Sequence, residues 1–329
     1  MVIITIERNG RRRLNYYNKG LSAPHDGEFV LEGPEEILTS GWSGLRNPKA
    51  CILGLGLIGG SWAGALHQMG WEVSAVDPEK ASIEEAISRG WIQAGWTEIP
   101  RFLDVDLVVL ALPLQEFAKG YDQLVGRVPK GAIVTDVGSI KAEICNKSKV
   151  NAQAGSGAFH FVGGHPMTGS EQSGFMVADP NLFQGYPYVL TPAVDCPQGV
   201  VRKLVEVVQG FGAKVVFRDP MDHDVEVAMV SHIPHVLAVA LTLATQDASK
   251  DGESAFALAG RSFRDITRIA DSSPEMWKEV LVRNADAILD GLTLLEQRIK
   301  ELREHLEQGE GESIAEAFRK AHAVRGCIN

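Results

Sequence analysis

Residues 54–61 read GLGLIGGS, and their place in the chain decides the fold. The apolar run ACIL at 50–53 precedes them and predicts a strand, and the residues that follow predict a helix. The three glycines have the G-x-G-x-x-G spacing of a dinucleotide-binding turn. Gly54 makes the tight turn, Gly56 lets the backbone approach a pyrophosphate, and Gly59 lets the helix pack closely on the strand. In this context the pattern predicts a dinucleotide site.

The acid that ends the next predicted strand favours one cofactor over another. The run WEVSAVD (71–77) ends in Asp77, whose carboxylate is placed to accept hydrogen bonds from ribose hydroxyls and would repel a 2'-phosphate. We therefore expect NAD, with NADP as the alternative because Lys80 stands nearby in the sequence. Leu57 and Ile58 open the helix, whose N-terminus favours the phosphate charge, and complete the predicted cofactor turn.

Strand and helix patterns alternate from residue 49 to residue 218. The later strands are predicted at 106–113, 132–137, 159–166, 186–192 and 213–219, with helical patterns between most of them. Such alternation is typical of a mostly parallel sheet that helices cover on both faces. We therefore predict an NAD-binding, doubly wound domain of modified Rossmann type over 49–218. Residues 1–48 form an N-terminal extension of unknown role.

Helical patterns replace the strands after Pro220, over 221–247, 252–262, 274–309 and 313–323. Apolar residues three and four apart line the third of these helices, at Ala285, Ile288, Leu292, Leu295, Ile299, Leu302 and Leu306. The stretch 225–244 is apolar nearly all round, so one covering layer is not enough for it. The seam of the third helix could pack within the domain or against a second subunit. We predict a helical dimerisation and substrate domain over 219–329, and a homodimer.

Composition argues against several other classes of function. The net charge of −10 and the pI of about 5.4 do not suit a nucleic-acid binder. The four cysteines are scattered without a C-x-x-C pair, so we expect no disulfide framework, no metal site and a cytoplasmic protein. The run 225–244 contains Glu, Ser, Pro and two His, which favours a buried helix over a membrane span.

Polar side chains end several strands at one edge of the predicted sheet, where ligands bind in such folds. His165 ends the strand 159–166 within GGHPMTGSEQSG, and it is suited to accept a hydroxyl proton during hydride transfer. Leu112 and Pro113 end the strand 106–113 beside the cofactor. Ser139 follows the strand 132–137, where it contributes to the site or caps the next helix. His165 in an ordinary loop is the alternative.

The motifs together resemble those of a known family. GLGLIGGS, VTDVGSIK, GGHPMTGSEQSG, NLF, YVLTP, DHD, SHIPH and FRDITRIADSSPEMW occur in this order. Over residues 50–309 the chain is similar to the prephenate/arogenate dehydrogenases of tyrosine biosynthesis. The resemblance implies a modified Rossmann domain with a helical dimerisation domain. It also implies the NAD(P)-dependent oxidative decarboxylation of a cyclohexadienol, in which the ring becomes aromatic.

The resemblance also implies roles for individual residues. His165 would hydrogen-bond the ring hydroxyl, and Ser139 would bind the same hydroxyl or hold His165. Arg268 would pair with a substrate carboxylate, since a planar guanidinium suits that task. His235 would line the substrate pocket with Ser231 close by. Further substrate contacts are expected from Ser170 and Trp277.

Several of these residues have a structural alternative. Arg268 could instead pair with Asp265, and Trp277 could be a core aromatic. His232 and His235 could bind a metal, but the sequence offers no third ligand beside them. The cluster Asp222, His223 and Asp224 could be a simple helix cap. Arg261, in AGRSF where the family is more glycine-rich, could be an extra substrate contact or an exposed side chain.

Three other functions compete with oxidation of prephenate. Arogenate would be distinguished by one or two polar residues in 170–174 or near Gln184. A β-hydroxyacid dehydrogenase would carry a catalytic lysine after the Rossmann domain, and 225–244 has none. An NAD-sensing module without activity would leave His165, Arg268 and Ser139 without a shared task.

Overall fold

The computed structural model describes residues 5–8, 11–14, 42, 47–153, 159–170, 172–249 and 254–326. Strands β1 (Thr5–Arg8) and β2 (Arg11–Leu14) pair antiparallel. Most of the predicted N-terminal extension lies outside the described residues. From residue 49 onward the chain builds one large sheet and then a set of helices.

Eight strands form the large sheet: β3 (Lys49–Leu53), β4 (Glu72–Val76), β5 (Ala94–Trp96), β6 (Leu107–Leu110), β7 (Ile133–Asp136), β8 (His160–Pro166), β9 (Pro187–Pro192) and β10 (Lys214–Phe217). Their order is β10-β9-β8-β7-β6-β3-β4-β5. Every neighbouring pair is parallel except β8 and β9, which confirms the mostly parallel sheet predicted from the sequence. Strand β5 was not predicted, because its three residues are too short for a periodic signal.

Helices cover both faces of this sheet: α1 (Leu57–Gln68), α2 (Lys80–Ser88), α3 (Phe117–Leu124), α4 (Ala142–Gln153) and α5 (Gln198–Gly210). On one face Trp62 packs edge-on against Phe211 and Tyr188. On the other face Tyr121 packs edge-on against Phe159 and Phe161. The central strands are buried on both faces, which explains why β6 reads LVVL without a polar residue.

The C-terminal region is helical, as predicted. It contains α6 (Pro220–Val227), α7 (Ile233–Ala248), α8 (Arg261–Thr267), α9 (Pro274–Arg283), α10 (Ala285–Glu307) and α11 (Gly311–Arg325). A π-helical segment, Ala228–His232, joins α6 to α7. It ends just before Pro234, which has no backbone N–H to continue the helical ladder. π-Helical turns of this kind are frequent at functional sites.

Two predicted helices differ from the observed ones. The predicted helix 252–262 is replaced by a short 3-10 helix, Ser254–Leu258, and by α8. The predicted helix 274–309 is broken at Asn284, between α9 and α10. Asn284 is buried there with φ −111° and ψ 26°, and its side-chain amide donates to the backbone oxygen of Asp224.

The helix that runs from Pro220 to Ala248 is long and apolar enough to cross a membrane by length and composition. Only 28% of its most apolar window is buried within the chain. The described residues of one copy therefore do not supply the burial predicted for 225–244. Leu237, Val239, Leu241 and Leu243 are exposed on α7. This helix presents an apolar face that the described part of the chain leaves uncovered.

Candidate active site

The glycine turn between β3 and α1 leaves space on one side and none on the other. Gly54 has φ +97°, and a Cβ there would lie 2.3 Å from the backbone oxygen of Ala111. A Cβ on Gly59 would lie 1.9 Å from the backbone oxygen of Gly54. A Cβ on Gly56 would meet nothing within 4 Å. The turn is therefore packed closely against the end of β6, and it leaves space at Gly56, as a phosphate-binding turn requires. Leu57 and Ile58 are the first residues of α1, beside this space.

Asp77 follows β4 and fastens the same turn. Its Oδ2 accepts from the backbone N–H of Leu55 at 2.6 Å, and its Oδ1 accepts from the N–H of Glu79 at 2.8 Å. A carboxylate has further acceptor sites, which remain for ribose hydroxyls. Leu112 and Pro113 stand at the carboxyl end of neighbouring β6, where Pro113 begins a short 3-10 helix. These residues fit the adenosine and pyrophosphate parts of a dinucleotide.

His165 stands at the carboxyl end of β8, where the backbone is crowded. A Cβ on Gly164 would lie 2.6 Å from the backbone oxygen of Asp136, so the glycine before His165 is a packing requirement. The Nδ1 of His165 lies 2.8 Å from the Nε2 of His223. The Nδ1 of His223 lies 2.7 Å from Oδ1 of Asp224. Three side chains thus form a line that ends at His165.

Burial lowers the pKa of His165 well below its ordinary value, and the nearby His223, Lys141 and His232 lower it further. His165 is therefore neutral at pH 7, and a neutral imidazole has one bare nitrogen that can accept a proton. The role of His165 as proton acceptor stays a prediction, and the neutral ring is the form that this role requires.

A buried ion pair fixes the strand ends that flank His165. The ammonium group of Lys141 pairs with Asp136, and both side chains are fully buried. The same ammonium donates to the backbone oxygen of Gly164 at 2.8 Å, while Asp136 accepts from the N–H groups of Gly164 and Gly138. Removing one partner of such a pair is costly, about 3–5 kcal/mol, because the other charge stays buried.

Asp224 caps α4 from a distant part of the chain. It accepts from the backbone N–H of Lys141 at 2.7 Å and from that of Ala142 at 2.9 Å. The capping role considered for Ser139 is therefore filled by Asp224 at these two groups, because α4 begins at Ala142 and not at residue 140. Ser139 lies half-buried in the turn between β7 and α4, on the edge of the sheet that carries His165.

Sequence reasoning missed His223 and Asp224. A helix cap is the structural alternative that the sequence offers for the cluster DHD, but the cap of α6 is Asp219, whose side chain accepts from the N–H of Met221. His223 and Asp224 are instead buried beside His165. The presence of DHD among the motifs of the resemblance was the only signal that could have found them.

A second cluster lies on α7 and α9. The Nδ1 of His235 lies 2.9 Å from the backbone oxygen of Ser231, and its ring stacks on Trp277 with centroids 3.6 Å apart. Burial lowers the pKa of His235, and the Arg268 guanidinium lowers it further. Arg268 begins a 3-10 helix, Arg268–Asp271, that packs against α7. Ser231 contributes its backbone oxygen here. Three residues predicted for the substrate pocket, His235, Ser231 and Trp277, are therefore in contact, and the 3-10 helix that carries Arg268 adjoins them on α7.

His232 joins the two clusters. Its Nδ1 lies 3.1 Å from the amide nitrogen of Asn284, which also binds Asp224. Its ring lies edge-on to Trp277, with centroids 5.9 Å apart. Burial lowers its pKa to about 4. Among the described residues no group of three His, Cys, Asp or Glu side chains is arranged to hold a metal.

The side chains of Ser170 and Asp265 bond to groups outside the two clusters. The hydroxyl of Ser170 is exposed and bonds within its own turn, accepting from the N–H of Gln172 at 3.1 Å. Asp265, the alternative partner considered for Arg268, pairs with Arg261 at 3.4 Å. Arg261 itself is exposed.

Known proteins match this arrangement over both domains. The nucleotide-binding domain of prephenate dehydrogenase matches residues 62–217, and its dimerization domain matches residues 219–320. A prephenate dehydrogenase of Lactococcus lactis is 32% identical over 283 residues, 85% of this chain and 77% of that protein. The chain belongs to the prephenate dehydrogenase family. The family predicted from the motifs is confirmed.

Solved structures of this family agree in fold. A prephenate dehydrogenase of Aquifex aeolicus, solved with hydroxyphenyl propionate and NAD+, is 29% identical with a TM-score of 0.79, covering 87% of this chain and 99% of that one. An arogenate dehydrogenase of Synechocystis is 30% identical with a TM-score of 0.74, covering 85% and 100%. Membership of the prephenate dehydrogenase family makes the chain a dehydrogenase and sets aside the β-hydroxyacid dehydrogenase considered from sequence.

Proposed function

We propose that the protein oxidises prephenate with NAD+ to 4-hydroxyphenylpyruvate, carbon dioxide and NADH, as a step of tyrosine biosynthesis. The observation that carries this proposal is His165, a half-buried neutral imidazole at the cofactor edge of the sheet. NAD+ supplies the acceptor for the hydrogen and two electrons that leave the ring carbon. The carbon–carboxylate bond breaks, its electron pair enters the ring, and the ring becomes aromatic.

His165 handles the proton of the ring hydroxyl. Its bare nitrogen accepts a hydrogen bond from that hydroxyl, which raises the electron density on the carbon that loses hydride. The phenol oxygen of the product carries a proton again, so the overall reaction releases none. Ser139, at the same edge of the sheet, binds the same hydroxyl or holds the His165 ring.

The second cluster binds the remainder of the substrate. Arg268 pairs with a substrate carboxylate, and His235 and Trp277 form the stacked wall of the pocket with Ser231. The indole N–H of Trp277 is buried without a partner among the described residues, so it is available as a donor. Ser170 is proposed as a further substrate contact. The contacts of His235 with Ser231 and Trp277 support the roles that the sequence predicts for these residues.

The cofactor preference follows from Asp77. Its carboxylate stands at the ribose position of the turn and would repel a 2'-phosphate, which favours NAD over NADP. The A. aeolicus relative was solved with NAD+, which supports this preference. The open side of the turn at Gly56 leaves room for the pyrophosphate.

Arogenate is the second candidate substrate, supported by the similarity to the Synechocystis arogenate dehydrogenase. It differs from prephenate by an amino group in place of the side-chain keto group. The residues around Ser170 and Gln184 are the proposed readers of this difference. With arogenate the same chemistry would give tyrosine directly.

We also propose a cytoplasmic homodimer formed through the helical domain, with domain limits at 49–218 and 219–329. The exposed apolar side chains of α7 and the match to a dimerization domain support the second copy. Cys51, Cys145 and Cys196 are free thiols, which suits a reducing compartment. Analytical ultracentrifugation should give twice the chain mass, and a monomer at micromolar concentration would contradict this assembly.

The test of the reaction is absorbance at 340 nm with each pairing of NAD+ or NADP+ with prephenate or arogenate. We expect NADH formation with prephenate. Turnover with arogenate only would retain the reaction type and change the substrate. Tight NAD+ binding without turnover of either compound would identify a sensor and contradict the proposal.

A further inference from the structure

His223 and Asp224 form a line behind His165 that controls which of its ring nitrogens carries a proton. Two imidazole nitrogens 2.8 Å apart require one donor and one acceptor. The Nδ1 of His223 faces a carboxylate oxygen of Asp224, and a carboxylate only accepts. Nδ1 of His223 therefore carries a hydrogen, which in the neutral ring leaves Nε2 as the acceptor.

The same reasoning applies to the ring of His165. If Nε2 of His223 accepts, Nδ1 of His165 donates, and Nε2 of His165 is bare. We propose that His223 and Asp224 are positioning residues that hold His165 in the tautomer with Nδ1–H, so that Nε2 accepts from the substrate hydroxyl. This inference rests on the proposed function for its catalytic consequence, but the tautomer is a property of the free protein.

Asp224 is held firmly enough to set this direction. Two backbone N–H groups at the start of α4 and the ring of His223 donate to it, so its orientation is fixed by three partners. His223 is 1% exposed, so water does not compete for its nitrogens. The opposite tautomer of His165 would require either a cationic His223 or a lone pair of His223 against the carboxylate.

Several charged groups surround this line, and they favour a neutral His165 before substrate binds. Lys141, at the start of α4, and His232, in the π-helical segment, both lower its pKa. Asp136, at the end of β7, is paired with Lys141. When the hydroxyl proton moves to Nε2, the positive charge on His165 faces His223 and, beyond it, the Asp224 carboxylate. In that state Nδ1–H of His165 still donates to Nε2 of His223, so the line keeps its hydrogen bonds while the proton is transferred.

The matched variants are His223→Gln and His223→Phe. The side-chain oxygen of glutamine can accept from Nδ1 of His165 where Nε2 of His223 stood, while phenylalanine keeps the ring size and offers no acceptor. We expect His223→Phe to lower kcat about 10–100-fold, the size of effect seen when the hydrogen-bond partner that orients a metal-bound histidine is removed. We expect His223→Gln to retain most of kcat. KM for NAD+ should be unchanged in both variants.

The tautomer is read directly by 15N NMR of the wild-type protein labelled at histidine. The His165 signals are identified by their loss in His165→Asn. A protonated Nδ1 and a bare Nε2 on His165, with this pattern lost in His223→Phe and kept in His223→Gln, would support the proposal. A proton on Nε2 in the wild type would overturn it, as would equal losses of kcat in the two variants with an unchanged tautomer.

The spectrum needs no substrate, so failure of the proposed reaction and failure of this inference are distinguishable. A protein that turns over neither prephenate nor arogenate but shows the Nδ1–H tautomer contradicts the function alone. A protein that oxidises prephenate and shows the other tautomer contradicts the positioning role alone.

Discussion

His165 and His235 are both oriented through Nδ1, but by partners of different kinds. Nδ1 of His235 bonds the backbone oxygen of Ser231, four residues earlier on the same helix. Nδ1 of His165 bonds the side chain of His223, 58 residues away. A histidine held by its own helix lines a pocket as long as the helix exists. A histidine held by a distant side chain depends on how two domains meet, and its protonation can be set from there.

The largest effect should come from removing the distantly held histidine. His165→Asn removes the nitrogen that accepts the hydroxyl proton, so kcat should fall about 10²–10⁴-fold. Binding of NAD+, measured by fluorescence titration, should change little, because Gly54, Gly56 and Asp77 are untouched. The matched control is His67→Asn, on the exposed end of α1, which should keep full activity. A His165→Asn enzyme with normal kcat would remove His165 from the chemistry.

The next effect concerns His232, the buried residue between the cluster at His165 and the cluster at His235, and the pH dependence of stability. Burial lowers the pKa of His232 from 6.5 to about 4, so the unfolded chain binds its proton more readily than the folded one. Stability is therefore full above pH 6.5 and declines as the pH falls toward 4. The shift corresponds to about 3 kcal/mol of unfolding free energy across that window. Urea unfolding at several pH values measures this slope.

The variant His232→Gln should flatten this dependence between pH 6.5 and pH 4. His67→Gln, at an exposed position, should leave the slope as it is in the wild type. An unchanged slope in His232→Gln would mean that other groups, such as His165, carry the acid sensitivity.

The contrast between the two histidines also explains what the sequence could predict. The glycine turn, Asp77 and the strand end at His165 are local patterns, and each is visible within a few residues of sequence. The roles of His223 and Asp224 depend on side chains that only the fold brings near. The break at Asn284 was invisible for the same reason, since its partners His232 and Asp224 lie 52 and 60 residues away while the apolar spacing runs straight through it.

A moderate effect should follow from changing Arg268, which stands beside the locally held His235. Arg268→Lys keeps the charge but loses the planar pair of donors, so KM for prephenate should rise about 10-fold or more while kcat changes less. The matched control is Arg261→Lys, seven residues earlier, with a side chain that is 93% exposed and pairs with Asp265. Equal increases in KM for both variants would make Arg261 a substrate contact too.

The smallest effect concerns an ion pair between α9 and α4 that could fix the position of one cluster relative to the other. Arg283, one residue before Asn284, bridges from α9 to Glu143 on α4 with contacts of 2.8 and 2.7 Å. Because Glu143 is 57% exposed, the pair should contribute only about 0.2–1 kcal/mol to stability. A double-mutant cycle with Arg283→Gln and Glu143→Gln measures the contribution of this ion pair to stability, and the surface pair Arg298 and Glu301 serves as the control.

If the ion pair also keeps Asn284 against Asp224, Arg283→Gln should lower kcat as well as stability. Arg298→Gln should leave kcat as it is and change stability by no more than a few tenths of a kcal/mol. A loss of stability without any change in kcat would show that the line behind His165 is held by its own buried contacts, independently of the bridge between the domains.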